Sequence, residues 1–332
     1  MYDSRVVGKY CEKRDPYLAI IAYERGKCDT ELLQITNDNS MFKHQSRYLV
    51  KRRDGELWAV VLNPENSFRR PLIDQVVATA LPETQDPEDV SVTVKAFMAA
   101  DLPNELIELL EKLILENSAF SDNRNLQNLL ILTAVKADKS RVADYISKLN
   151  NFDAPDIANI AVGSGLYEEA YAIYKKYDQH ANAVEVLLNH IGDLDRGFEY
   201  AERVDLPEVW SKLAKSQLTA LRIKEAINSY IKADDPSNFS EVIQTANGSG
   251  EFECLVKFLQ MARKKAREPM IESELLFAFA MTNRISDLEE FVSTPNIAQV
   301  RFNAPHNYFY TTFLNSLLGC PSRRALLRSW HV

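Results

Sequence analysis

The sequence predicts an all-α protein, a right-handed α-solenoid in which helical hairpins stack into a superhelix, and three observations carry that expectation. Glycine is scarce: there are 10 in 332 residues, where ordinary usage of about 7% would give roughly 23. Tight β-turns, phosphate loops and dinucleotide crevices all consume glycine, so a large β-sandwich or a doubly wound nucleotide-binding fold is disfavoured. Proline is placed where helices begin. One apolar pattern also recurs at a spacing suited to a two-helix unit.

The helix starts come in chain order. Asp15-Pro16, Asp86-Pro87, Asp101-Leu-Pro103, Asp153-Ala-Pro155, Asp205-Leu-Pro207 and Asp235-Pro236 use six of the 13 prolines. Each sets an N-cap acceptor just ahead of a residue whose missing N–H costs nothing in a first turn. Between such starts the apolar spacing follows the helical period. In ELIELLEKLILE, Leu106, Ile107, Leu110, Leu113 and Ile114 form one stripe, with Glu105, Glu108, Glu111 and Lys112 outside it. About twenty helices of about 10 to 16 residues are expected, and alternation suited to strands is not sustained anywhere.

Repetition decides how these helices add up. A small or apolar residue followed four positions later by a second one recurs as Ala170 with Tyr174, Ala226 with Tyr230, Leu255 with Leu259, and Leu288 with Val292, with Phe198 and Glu202 as a polar variant. The first members lie 28, 28, 29 and 33 residues apart along the chain. Two helices of about 12 residues with two short turns need about 30. A lone hairpin buries only one of its sides, so such units must stack on their neighbours. Residues 1–300 read as one continuous array, with 1–85 the end of one block of repeats, 86–230 a complete block and 231–300 the start of the next. The first half repeats less regularly but is capped in the same way. Past Val300 the periodicity fails, and residues 301–332, aromatic-rich and nearly free of acids, read as a divergent, irregular C-terminal tail.

Charge and chemistry narrow the function. With 39 Lys plus Arg against 47 Asp plus Glu, the net charge is −8, which argues against a nucleic-acid binder. Cys11, Cys28, Cys254 and Cys320 make no close pair and no apolar leader precedes them, so reduced thiols in the cytoplasm are expected. No apolar run approaches the roughly 20 residues that span a bilayer. His44, His180, His190, His306 and His331 are too scattered for a zinc motif. Adjacent carboxylates, Glu168-Glu169, Asp234-Asp235 and Glu289-Glu290, do not face each other on a helix. Gly163-Ser-Gly165 lacks the strand and lysine of a phosphate loop and reads as a helix end followed by a turn. No GxSxG elbow occurs. No catalytic, cofactor-binding or metal-binding residue is assigned, and no enzyme is expected.

The strongest charge feature is Leu255 to Arg267, where Lys257, Arg263, Lys264, Lys265 and Arg267 share one helix whose other face carries Leu255, Phe258, Leu259 and Ala262. It reads as a repeat helix with a basic outer face, diluted by Glu251, Glu253, Glu268, Glu272 and Glu274. The functional alternatives are a membrane-surface or calmodulin-like helix, an RNA contact and, chief among them, contact with an acidic neighbouring protein. Lys51 to Arg53 and Arg69-Arg70 are weaker basic sites. Asn238-Phe-Ser and Asn247-Gly-Ser match the glycosylation sequon, which matters only in a secretory lumen.

The wording of the sequence goes further than its physics. RVVGKYCEKRDPYLAIIAYERGKCD, SRYLVKRRDGELWAVVL, RRPLIDQVVATALPETQDPEDVSVTVKAFMAADLPNELIELLEKLILENS, NLQNLLILTAVKAD, NFDAPDIANIAV, KEAINSYIKADDPS and LVKFLQMARKKARE strongly resemble the clathrin heavy chain. The resemblance is continuous from about Tyr2 to about Val300 and is lost after Ala298. It implies a TPR-like solenoid of clathrin heavy-chain repeats, an inner stretch of the leg comprising the distal portion, the knee and the start of the proximal portion. The β-propeller and the trimerisation hub of that family are absent from this sequence. What the resemblance implies for function is a structural part of the coat, acting by leg-to-leg association in coated-pit and coated-vesicle formation, vesicle-mediated transport and endocytosis. The implied partners are other heavy-chain legs and, with its main site outside this stretch, the clathrin light chain. Membrane would be met only through adaptors, on the cytoplasmic face of pits and vesicles. The alternative is a generic helical-repeat adaptor that binds peptides on its concave face.

Overall fold

The computed structural model describes residues 3–116, 119–295 and 297–298. The expected tail at 301–332, with His306, Cys320 and His331, lies outside the described residues. Among those described there is no strand, and twenty α-helices follow one another. The chain divides into two compact units, Met1–Ile173 and Tyr174–Val332.

The helices of the first unit are α1 (Ser4–Cys11), α2 (Pro16–Gly26), α3 (Asp29–Asp38), α4 (Phe42–Arg52), α5 (Gly55–Val61), α6 (Arg69–Gln75), α7 (Pro87–Ala99), α8 (Pro103–Leu115), α9 (Arg124–Ala137), α10 (Val142–Lys148) and α11 (Ala154–Gly163). Helix α12 (Tyr167–Lys176) spans the division. The second unit continues with α13 (His180–Val186), α14 (Leu194–Val204), α15 (Pro207–Thr219), α16 (Ile223–Ala233), α17 (Phe239–Ser249), α18 (Phe252–Lys265), α19 (Pro269–Met281) and α20 (Ile285–Ser293). Short π turns at Val76–Ala80 and Leu187–Ile191 extend α6 and α13. These helices run from 7 to 14 residues, a little shorter than the sequence suggested, and many of the longer ones end at a left-handed residue.

Those ends explain how a glycine-poor chain turns so often. Nine residues other than glycine, among those described, adopt φ between 48° and 60°, and each stands just past a helix. Five of the nine are Asp or Asn, whose short polar side chains tolerate the left-handed region best. This corrects the reading of two helix starts. Asp101 and Asp205 belong to the preceding helix ends, with φ of 51° and 48°, while Leu102 and Leu206 are the N-caps of α8 and α15. Pro103 and Pro207 do open their helices, as expected. Asp15 and Asp86 cap as predicted, Asp15 accepting from the backbone N–H of Tyr17 and Leu18 and Asp86 from that of Glu88. Asp153 is the N-cap of α11 without such a bond. Asp235 caps no helix: it accepts from the Ser237 N–H in a turn, and α17 begins three residues after Pro236.

The predicted stripes are the core. Leu106, Ile107, Leu109, Leu110, Leu113 and Ile114 of α8 are all buried, each worth about 1.5–3 kcal/mol relative to exposure. In the first unit the largest buried groups are Tyr23, Trp58, Phe97 and Tyr145; in the second they are Trp210, Tyr230 and Phe258. Within the second unit consecutive hairpins interlock through aromatic pairs, Tyr230 with Phe258 at 5.9 Å and Phe252 with Phe277 at 5.8 Å between ring centroids. Ala170, Tyr174, Ala226, Tyr230, Leu255, Leu259 and Leu288 are buried, as the repeat requires. Phe198 departs from it. The small residue at that helix crossing is Gly197, where an added Cβ would lie 2.9 Å from Leu188 Cδ2. Phe198 is half-buried instead, packed edge-on to Trp210 at 5.7 Å.

Candidate functional site

Charged side chains line the helix ends, and their spacing is that of the repeat. In the second unit, Asp195 at the start of α14 pairs with Arg222 ahead of α16 at 2.7 Å. Lys224 in the first turn of α16 then pairs with Glu251 ahead of α18 at 3.3 Å, and Glu253 in α18 with Arg284 ahead of α20 at 3.6 Å. The partners are 27, 27 and 31 residues apart, one repeat each. The sign alternates from one hairpin to the next: acid, base, acid, base. The opposite helix ends are tied likewise, Glu202 to Lys232 at 3.4 Å and Asp234 to Lys265 at 2.5 Å. Lys265 Nζ also donates to the Asp234 carbonyl, which ends α16, a placement suited to the negative end of a helix. Lys232 lies over the rings of Trp210 at 4.0 Å and Phe198 at 5.3 Å, so Phe198 serves as a shelf for a cation.

The first unit has single ties of similar spacing, Arg5 to Glu31, Glu111 to Arg141 and Arg124 to Asp153, and adds charge nodes to them. Arg53, in the left-handed position ending α4, reaches three carboxylates around the start of α7: Asp86, Glu88 and Asp89. Asp89 is buried and accepts a second bond from Thr84 Oγ1 at 2.7 Å. The Glu88 backbone N–H, and then Arg53, hold the Asp86 carboxyl below the usual carboxylate range. Nearby, Arg47 clasps Glu83 through two bonds of 2.8 Å and lowers it likewise. Arg52 bonds Asp29 at 3.1 and 3.2 Å, while Tyr48 donates its hydroxyl to the same carboxylate. Burial, reinforced by a hydrogen bond to Glu111, pushes the Tyr145 hydroxyl up to about 12. Of the weak basic sites of the sequence, Arg52, Arg53 and Arg70 are ties within the chain, Arg70 bonded to Asp74 and Glu105 at 3.1 Å each, while Lys51 is exposed.

The other singled-out residues separate. His180 Nδ1 is 2.8 Å from the Tyr200 hydroxyl, His190 is exposed on the π turn after α13, and His44 packs edge-on against Tyr17. Among the described residues no group of three His, Cys, Asp or Glu side chains is placed to hold a metal. Asp234 and Asp235 diverge, the first to Lys265 and the second to Ser211 and Ser237. Gly163 ends α11 and Gly165 turns with φ of 78°. On α18, Arg263 is half-buried, bonded to the buried Glu272 at 3.1 Å and stacked 4.4 Å over Phe291. Lys265 is tied to α16, and Lys257, Lys264 and Arg267 are the exposed remainder of that basic face. Asn238 and Asn247 are engaged with the Tyr230 hydroxyl and Glu274. Among the described residues no helix is long and apolar enough to cross a membrane. Sequence reasoning missed the tie network altogether; its signal was charge of opposite sign recurring at the repeat spacing.

These features define a helical-repeat scaffold, with an apolar interior set by stacked hairpins and edges tied by charge. Comparison makes the class specific. The sequence profile described as "Region in Clathrin and VPS" matches residues 1–73, 81–225 and 230–302. The chain is similar to "Clathrin heavy chain 2" of Homo sapiens and "Clathrin heavy chain" of Drosophila melanogaster, each 63% identical over 300 residues. It is also similar to "Clathrin heavy chain" of Dictyostelium discoideum, 56% identical over 300 residues. In each case the match takes in 90% of this chain and 18% of the relative. The chain belongs to the clathrin heavy-chain family, and it spans about a fifth of the length of these relatives.

Proposed function

We propose that the chain acts as a leg segment of a clathrin coat, a structural element that works by self-association in coated-pit and coated-vesicle formation. The observation that carries this reading is identity of 56–63% to heavy chains across the whole repeat region, joined to a fold in which each hairpin is tied to the next. Legs in a coat lie beside one another through many weak contacts, and multiplicity makes the sum strong while each contact stays reversible. Exposed ion pairs and the exposed cations of α18 suit such contacts, because interactions of this kind are screened by salt.

In this reading residues 1–300 form repeat blocks at 1–85, 86–230 and 231–300, and the chain carries no catalytic, cofactor or metal site. The partners are other heavy-chain legs, with light chain bound chiefly outside this stretch and membrane met through adaptors on the cytoplasmic face of pits and vesicles. The test is co-assembly: purified chain is mixed with full-length heavy chain under coat-forming conditions and the coats are sedimented. Incorporation of the chain, or a dose-dependent drop in coat yield, is expected. Coats that form unaltered and leave the chain in the supernatant would refute the role.

A further inference from the structure

Helix α19 is apolar on every side. Past its opening proline, its only polar residues are Glu272, Ser273 and Glu274, and a helix that is hydrophobic all round belongs in an interior. Ile271, Leu275, Ala278 and Phe279 are buried in the core that α19 shares with α18 and α20. Leu276 and Ala280 are only partly buried. With Glu272 these two make one row along the helix, each four residues from the next and so on one face.

The chain comes back to this row after α20. The Ile297 backbone N–H donates to the Glu272 carboxylate, which is 5% exposed and also bonded to Arg263 at 3.1 Å. Ala298 packs on the same core. The chain is thus delivered to one end of a row whose other members, Leu276 and Ala280, lack full cover.

Charge identifies the occupant. From Glu268 to Ala298, the acids Glu268, Glu272, Glu274, Asp287, Glu289 and Glu290 are set against a single base, Arg284. Residues 301–332 reverse the balance, with Arg301, Arg323, Arg324 and Arg328 and no Asp or Glu. They also carry large apolar groups, among them Phe309, Phe313, Leu317, Leu318 and Trp330. We propose that residues 301–332 dock on the Leu276 and Ala280 side of α19 in the same molecule, apolar groups against the row and arginines toward the acids of α19 and α20. Attachment at Ala298 makes the contact intramolecular, so exposed ion pairs of modest individual strength suffice to hold it. The role is that of a cap: in a solenoid, an apolar face not covered by a further repeat needs a cover that is polar on its outside. The family profile ends at residue 302, so this cover is particular to this chain. The assignment goes beyond the coat role and does not depend on it.

The test is limited chymotrypsin digestion of the full chain, with cuts after Phe309, Tyr310 and Phe313 read by mass spectrometry. Charge variants leave those sites intact. Three are compared with the parent: Arg323→Glu with Arg324→Glu, Glu289→Arg with Glu290→Arg, and all four substitutions together. Cutting tracks the population of the undocked form. Each double variant should be cut about tenfold faster or more, and the fourfold variant, in which opposite charges meet again, should return to the parent rate. Cuts at Tyr230 and Phe258, both buried, report unfolding and should stay slow. If the α20 variant opens the core, the Arg323 and Arg324 variant decides, since it alters no described helix. Equal cutting of the parent and that variant, or a fourfold variant cut as fast as the doubles with its core closed, would overturn the assignment. Protection that rises with chain concentration would overturn it too, by assigning the contact to a second copy.

Discussion

The two units solve the same problem with charge laid out differently. In the second, single ion pairs recur one repeat apart along both helix ends, Asp195 to Arg222, Lys224 to Glu251 and Glu253 to Arg284 on one side. In the first, one arginine gathers three carboxylates, Arg53 with Asp86, Glu88 and Asp89. A distributed tie fails a rung at a time. A gathered tie leaves several like charges facing one another, one of them on the buried Asp89, when its single cation is lost. The difference is one of addition: the first unit also has single ties about one repeat apart, Arg5 to Glu31, Glu111 to Arg141 and Arg124 to Asp153, and sets the Arg53 node beside them.

Apolar stacking should outrank charge in both units, and the largest effects are expected there. Ala170→Arg places a cation at a fully buried position and should cost several kcal/mol, on the order of 3 to 5. Trp210→Ala should cost about 3–5 kcal/mol, since that ring is 1% exposed and its Nε1 donates to Asp205 at 2.9 Å. Urea unfolding checks both, and a cost below about 0.5 kcal/mol at Ala170 would contradict the repeat register.

Next comes the node. Arg53→Ala should lower the stability of the first unit more than the loss of any single rung lowers that of the second, with hydrogen exchange at the start of α7 accelerated. Acid should mimic it in part. Asp86 and Glu83 are held below their ordinary values in the folded chain. Their contribution is therefore complete above the unfolded value, about 4, and fades as the pH falls through the lower folded values. Acid titration of the Arg53→Ala variant should show a shallower loss below about pH 4 than the parent chain; parallel curves would remove Arg53 from the account.

Rungs come third. Lys224→Glu should cost about 0.2–1 kcal/mol, and adding Glu251→Lys should restore most of it. Costs that simply add would show the pair to be idle. Smallest of all, Lys264→Glu should stay within about 0.5 kcal/mol, because that side chain is exposed; a larger loss would mean that the basic face is internal.

Much of this fold was legible in the sequence because burial leaves a periodic trace. The stripe on α8 and the pairs Ala170 with Tyr174 and Ala226 with Tyr230 could be read directly, and family resemblance fixed the repeat type. What escaped reading has a common cause: local chemistry permits two roles, and only packing selects one. An Asp before Leu-Pro can start a helix or end one, and Asp101 and Asp205 end theirs. Phe198 has the hydrophobicity of a core residue, yet the crossing requires the absence of a Cβ and so takes Gly197. The ties between repeats were hidden because an ion-pair partner about 30 residues away is invisible to reasoning over one helix.

The central claim is that apolar stacking holds the hairpins together while charge ties only their edges, and native-state hydrogen exchange at low and high salt tests it most directly. In about 1 M salt, where the screening length falls to about 3 Å, the first bonded amides of α16, α18 and α20, those of Ala226, Leu255 and Leu288, should lose protection while amides further along the same helices keep theirs. Loss of protection spread evenly through those helices would show that charge, not apolar packing, holds the hairpins, and unchanged protection at their ends would show that the ladder ties nothing.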